Sequence, residues 1–227
     1  MACLGTRTHA AIAVSMLTLA TLTTALRALQ PPTEPPTYPG ARPEVRRHGY
    51  ASARHDVLVH ATPEQVLAWN NAPGRSLEEI VRFENFPTVV ATTALVGDWT
   101  PGTREGDRRR VHFSDGHYLA EEVLVDTAET FRYMIWGFTS PQRLAVDHGV
   151  AEFRFHRVDG GTRIEWVYSF LPRTRLLRPV VQRFLDRVMT PMMTATLDAM
   201  RTGIENDHHQ GQCRSGKSSQ ARPGTRS

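Results

Sequence analysis

Cysteine is nearly missing from this chain of 227 residues: there are two, Cys3 and Cys213, and both lie outside the stretch 47–206. That stretch therefore contains neither a disulfide framework nor a thiolate metal site. It also lacks HExxH and any pair of histidines four residues apart, so no metal is expected. His112 and His117 flank one turn, and His148 and His156 bracket one strand, without ligand spacing. A G-x-S-x-G nucleophile elbow and the glycine-rich phosphate loops are absent as well. His148 beside Asp147 imitates a base with its orienting acid, but no serine or cysteine stands ready to be activated. The net charge is only +4 and sits partly in the C-terminal tail. No basic stripe is interleaved with aromatics, so nucleic acid is not an expected partner. Internal repeats are missing too.

What remains is one block of ordinary globular balance, with unusual flanks. Residues 1–29 carry Arg7 and His9, run apolar from Ala10 to Leu26, and end near Arg27 with small residues at Ala25 and Ala28. This is the layout of a secretory leader. The apolar run of about 17 residues is also at the lower limit for spanning a bilayer, so a membrane anchor is the second reading. Either way the domain is expected to be exported or anchored on the extracytoplasmic side. A start codon set too early would instead leave it cytoplasmic. Residues 30–46 hold six of the fifteen prolines and are expected as an extended, semi-rigid linker. Residues 207–227 have almost no apolar side chain and read as a disordered basic tail. The block between, 47–206, has the size of a single domain.

Within it, "HDVLVHA" alternates and predicts a first strand. "ATPEQVLAWN" then combines Thr62 as N-cap, Pro63 at the first helical position and Gln65 to complete a capping box. "APGRSLEEIVRF" repeats the device with Ser76 and Glu79, so two short helices are expected in succession. Six segments of period two come next, over 87–99, 104–113, 117–125, 130–138, 149–158 and 162–171. Ser114-Asp115-Gly116 and Asp159-Gly160-Gly161 mark hairpins among them. Last comes a long helical segment whose Val181, Leu185, Met189, Met193, Leu197, Met200 and Ile204 form one apolar stripe. An antiparallel sheet with one apolar face needs a cover, and only this helix is long enough. The sheet is expected to curl around it.

Turn length sets register. A two-residue Asp159-Gly160 turn places Phe155 opposite Ile164, Phe153 opposite Trp166 and Ala151 opposite Tyr168, all facing inward. A three-residue Ser114-Asp115-Gly116 loop places Arg109 opposite Glu121 on the inner wall. A two-residue turn would instead pair Arg109 with Glu122 and Arg110 with Glu121. The first register keeps both faces consistent and is preferred.

The motifs "HDVLVHATPEQVLAW", "GTREGDRRR", "DGHYLAEEVLVD", "FRYMIWG" and "GGTRIEWVYSFLP" resemble the START/Bet v 1-like (SRPBCC) superfamily, and most closely its polyketide cyclase/dehydrase-like members. The resemblance covers about 55–205. It implies an α+β helix-grip fold, a curved seven-stranded antiparallel sheet wrapped around a long C-terminal helix with two short helices after the first strand. It further implies a deep cavity between sheet and helix for a lipid or another hydrophobic small molecule, and no cofactor. The leader and proline-rich segment depart from the compact pattern of the family.

Candidate site residues come from the predicted inner face. Arg109 and Glu121 form either an anchor for a polar ligand head or a structural ion pair. Tyr133, Phe153, Trp166 and Tyr168 are either ligand contacts or core aromatics. Met189 and Met193, with Met192 and Met200 nearby, either fill the core or make an adaptable lid. Pro191 is expected to bend the helix near Arg187, whose carbonyl loses its partner. Two functional expectations result. One is binding, with transport as an extension, of a hydrophobic molecule or lipid by Arg109, Glu121, Tyr133, Phe153, Trp166, Tyr168, Met189 and Met193. The other is a cyclase or dehydratase in which Glu121 and Tyr133 act as acid and base. Membrane contact through the N-terminus is the remaining partner expectation.

Overall fold

The computed structural model describes residues 30–75, 80, 83 and 86–219, with side chains described as far as Asp207. The expected leader, the helix beginning at Ser76 and the end of the tail lie outside the described residues.

Seven strands form one antiparallel sheet: β1 (Ala51–Val59), β2 (Val89–Val96), β3 (Arg108–Phe113), β4 (Tyr118–Asp126), β5 (Thr130–Trp136), β6 (Val146–Val158) and β7 (Gly161–Pro172). Their spatial order is β1-β7-β6-β5-β4-β3-β2, so the first strand returns to pair with the last and β2 makes the far edge. The expected registers are present. Phe153 pairs with Trp166 and Ala151 with Tyr168, and Arg109 pairs with Glu121. After β1, helix α1 (Pro63–Asn70) begins with the full capping box: Thr62 N–H donates to Gln65 Oε1 at 2.8 Å, and Gln65 N–H to the Thr62 hydroxyl at 3.4 Å.

The C-terminal segment differs from the single helix that its periodicity predicts. A short 3-10 turn (Arg175–Leu177) leads into α2 (Arg178–Phe184), then a π-helical turn (Leu185–Met189), then α3 (Thr190–Ser219). The π turn ends two residues before Pro191. The proline ring would clash with the Arg187 carbonyl one turn earlier, and widening that turn makes room for it. The irregularity falls where Pro191 is expected to act, and its form is an extra residue in the turn. The backbone of α3 continues to Ser219, into the segment expected as an unstructured tail. Among the described residues, no helix is long and apolar enough to cross a membrane.

The stripe from Val181 to Ile204 is buried against the concave face of the sheet, with Val57, Val59, Ile164 and Trp166 opposite it. Gly203 permits a close approach of α1, because a Cβ there would run into the Trp69 ring.

The convex face is covered as well. Ala120, Met134, Trp136 and Val150 form a second apolar cluster, closed by Tyr38, Val45 and Tyr50. The proline-rich segment is thus laid along the sheet rather than held away from it. Prolines leave many carbonyls without helical or strand partners, and β3 supplies donors. Arg108 donates to the carbonyls of Tyr38 and Gly40 at 2.8 and 2.7 Å, and Arg110 to that of Pro36 at 3.0 Å. Glu122 binds both Arg108 and Arg42, at 2.6 and 3.0 Å. The Arg108-Arg109-Arg110 run therefore divides, with its outer members holding the strap and its middle one facing the interior.

Candidate functional site

Alternation along the strands places one set of side chains on the concave wall: Val111 and Leu119, Glu121, Tyr133 and Ile135, then Trp166, Tyr168 and Phe170. The helical cover contributes Phe184, Met189 and Met192, and connecting loops contribute His117, Ser140 and Gln142. Between them is a cavity. It has about 120 Å3 of room for the centres of water-sized molecules, and about 850 Å3 free of protein atoms when its open end is counted. One water needs about 10–15 Å3 on the first measure, so several fit. Gly149 on β6 helps keep this space open, since a Cβ there would lie 2.8 Å from the Phe170 ring and displace it.

The polar groups are few and specific. Arg109 Nη2 donates to Glu121 Oε1 at 2.7 Å, and both side chains are largely buried. The guanidinium carbon also lies 4.1 Å from the centre of the Trp99 ring. Trp99 is held in a left-handed conformation (φ 61°), and its backbone N–H donates to Asp107 Oδ2 at 2.8 Å. Glu121 lines the cavity, while Arg109 stands behind it and fixes its orientation.

Tyr133 and Tyr168 meet edge to face, with ring centres 6.4 Å apart. Burial pushes the Tyr133 hydroxyl far above its ordinary pKa of 10.0, and the neighbouring Glu121 charge pushes it further. Burial does the same to Tyr168, assisted by Tyr133 and Glu121. Both phenols thus remain protonated donors across the accessible pH range. The indole of Trp166 points toward the Tyr133 oxygen, but its buried Nε1–H meets no acceptor in hydrogen-bond geometry. Gln142 Oε1 is likewise buried and unpartnered. Both atoms are closed off from water-sized molecules, and a buried polar group without a partner costs roughly 1–3 kcal/mol.

Of the residues expected at the site, Glu121, Tyr133, Trp166, Tyr168 and Met189 converge on the cavity. Three others lie off its wall. Arg109 backs Glu121. Phe153 stacks on Trp166 with ring centres 4.6 Å apart. Met193 is completely buried in the core, and its neighbour Met192 takes the place at the wall.

Residues 50–205 match the family described as polyketide cyclase / dehydrase and lipid transport. The chain belongs to this family. Solved structures that share the fold include the following two. The di-domain ARO/CYC StfQ from the steffimycin biosynthetic pathway aligns with TM-score 0.52 and 11% identity, over 70% of this chain and 52% of that one. A norcoclaurine synthase point mutant from Thalictrum flavum, in complex with a transition state analogue, aligns with TM-score 0.52 and 14% identity, over 70% and 96% of the two chains. No curated protein matches the sequence.

The cavity wall of this family member also includes residues that periodicity does not reveal. Gln142 sits in a 3-10 turn (Pro141–Leu144), where no alternation says which way a side chain points. His117 closes the β3–β4 hairpin, its Nδ1 3.1 Å from the Thr139 hydroxyl. Phe170 does carry a signal in the sequence, since it continues the inward series 164, 166, 168. Outside the cavity, His148 is buried on the convex side, with Nδ1 2.8 Å from Asp147 Oδ2 and Nε2 2.7 Å from the Tyr50 hydroxyl. The apparent base and orienter therefore serve the strap. Among the described residues, no group of three or more His, Cys, Asp or Glu is placed to hold a metal ion.

Proposed function

We propose that the chain binds a hydrophobic small molecule, with a hydrogen-bonding group of its own, in the cavity beneath the terminal helix. The observation that carries this reading is the unfilled space itself, where apolar side chains form the body of the site and Glu121 with Tyr133 supplies a polar corner. The methionines of the cover suit a ligand of variable outline, because their unbranched side chains repack at little cost. Family membership supports the same reading. Native mass spectrometry of the full chain tests it: a lipid-sized adduct that is released on unfolding is expected. Protein that is adduct-free and indifferent to apolar fluorescent dyes overturns it.

A second reading rests on a specific juxtaposition. A carboxylate beside a phenol that stays protonated is an acid/base pair facing the same cavity, which suits cyclisation or dehydration of a carbonyl compound. In that case Glu121→Gln abolishes turnover and spares binding. Retention of turnover removes Glu121 from the chemistry. For localisation we propose an extracytoplasmic site of action, supported by the leader-like sequence of residues 1–29. N-terminal sequencing of the exported protein tests it.

A further inference from the structure

The arginines of this protein fall into two populations. Those on the sheet are mostly neutralised: Arg54 by Glu165, Arg104 by Asp126, Arg108 by Glu122 and Arg109 by Glu121. Those at one end of the molecule are not. The turn Pro141–Leu144 and the segment 173–185 contain Arg143, Arg173, Arg175, Arg178 and Arg183, and not one aspartate or glutamate. None of the five is in an ion pair among the described residues. The two segments are joined directly, Arg173 N–H donating to the Ala145 carbonyl at 2.9 Å. Arg173 also donates to the Arg143 carbonyl, and Arg178 to that of Tyr50, which fixes their positions without cancelling their charge.

The same two segments expose the most prominent apolar side chains among the described residues. Leu176 is 89% exposed, Leu144 61% and Val180 56%. On α2, Val180 and Arg183 lie on the face away from the buried Val181 and Leu185. Leu176, one turn earlier, extends that row. The first acid reached along the helix is Asp186, which accepts from Gln182 at 2.9 Å. Isolated apolar side chains standing among guanidinium groups that have no counter-charge suit a boundary that is anionic at its surface and apolar beneath. A folded protein partner would need a separate recess for each of these protruding side chains.

We infer that the Pro141–Leu144 turn and the 173–185 segment together seat the protein on an anionic lipid surface, with Leu144, Leu176 and Val180 entering the headgroup boundary. Gln142 and Phe184, which line the cavity, belong to the same two stretches of chain, so docking would bring that end of the cavity to the bilayer. The docking does not depend on the cavity being occupied.

Co-sedimentation of the full chain with phosphatidylcholine vesicles, with and without phosphatidylglycerol, tests the inference. Binding is expected only with phosphatidylglycerol present, and it should weaken as salt rises. Arg175→Gln and Arg183→Gln should each weaken it roughly fivefold. Leu176→Ser should weaken it roughly tenfold, and because that side chain is exposed the circular dichroism spectrum should not change. Variants that bind as tightly as the unaltered chain overturn the assignment, since attachment would then belong to the termini. Equal binding to phosphatidylcholine alone overturns it too. So does Arg175-dependent capture of polyglutamate without any affinity for vesicles, which would make the patch a site for an acidic protein.

Discussion

Arg109 and Glu121 face each other across the β3–β4 ladder, joined by a 2.7 Å hydrogen bond on the concave side of the sheet. The pair is neither solvent-exposed nor free, because the arginine is also packed against Trp99. Breaking a buried pair on one side leaves an uncompensated charge and costs roughly 3–5 kcal/mol, whereas replacing both members with apolar side chains is often near neutral. Arg109→Leu alone should therefore lower stability by about 3 kcal/mol. Adding Glu121→Leu should recover most of that loss. Urea denaturation of the two single variants and the double variant measures the coupling, and additive losses would contradict a paired arrangement.

Trp166→Phe keeps an aromatic ring in the wall and removes the unpartnered N–H. Stability should hold or rise, since an unsatisfied buried donor is lost. Affinity for an apolar dye should stay within about twofold, since the lost N–H is closed off from the cavity. Fluorescence or calorimetric titration against the unaltered chain reads the difference.

The Gly203→Ala change separates local preference from packing. Alanine favours a helix over glycine by about 1 kcal/mol, so on an open helix the substitution stabilises. Here the added carbon would run into the Trp69 ring, and overpacking of this kind costs about 1–3 kcal/mol. A lower thermal midpoint is expected. A higher one would mean that α1 yields readily.

Tyr133 and Tyr168 give the fold a defined response to base. Their folded-state pKa values are raised above the ordinary 10.0 by burial. The unfolded chain therefore releases these protons first as pH rises, while the folded chain retains them. Their contribution to stability is complete below about pH 10 and is lost progressively above it. Ultraviolet titration should show these two phenols ionising only with unfolding. Replacing both with phenylalanine should flatten the fall in stability above about pH 10.

Much of the fold was legible because short turns fix register and register fixes faces. Asp159-Gly160 was enough to place Phe153, Phe155, Trp166 and Tyr168 inward, and Ser114-Asp115-Gly116 was enough to pair Arg109 with Glu121. The helical cover was legible as a stripe but not as a shape. A π turn precedes Pro191, and beyond it Met192 reaches the wall while Met193 enters the core. Gln142 was illegible for a different reason, since a four-residue 3-10 turn has no period from which to read a direction. The path of residues 30–46 was also hidden. Proline composition gives an extended chain, but its resting place is set by Arg108 and Arg110, more than sixty residues away in sequence.

That resting place determines where the gene can be cut. Composition alone would start a recombinant fragment at residue 47, after the last proline of the run. Such a fragment would leave Met134 and Trp136 bare on the back of the central strands and strand Arg108 without its carbonyl partners. Soluble, monodisperse protein should come from fragments that begin near residue 30, and clumping from those that begin at 47.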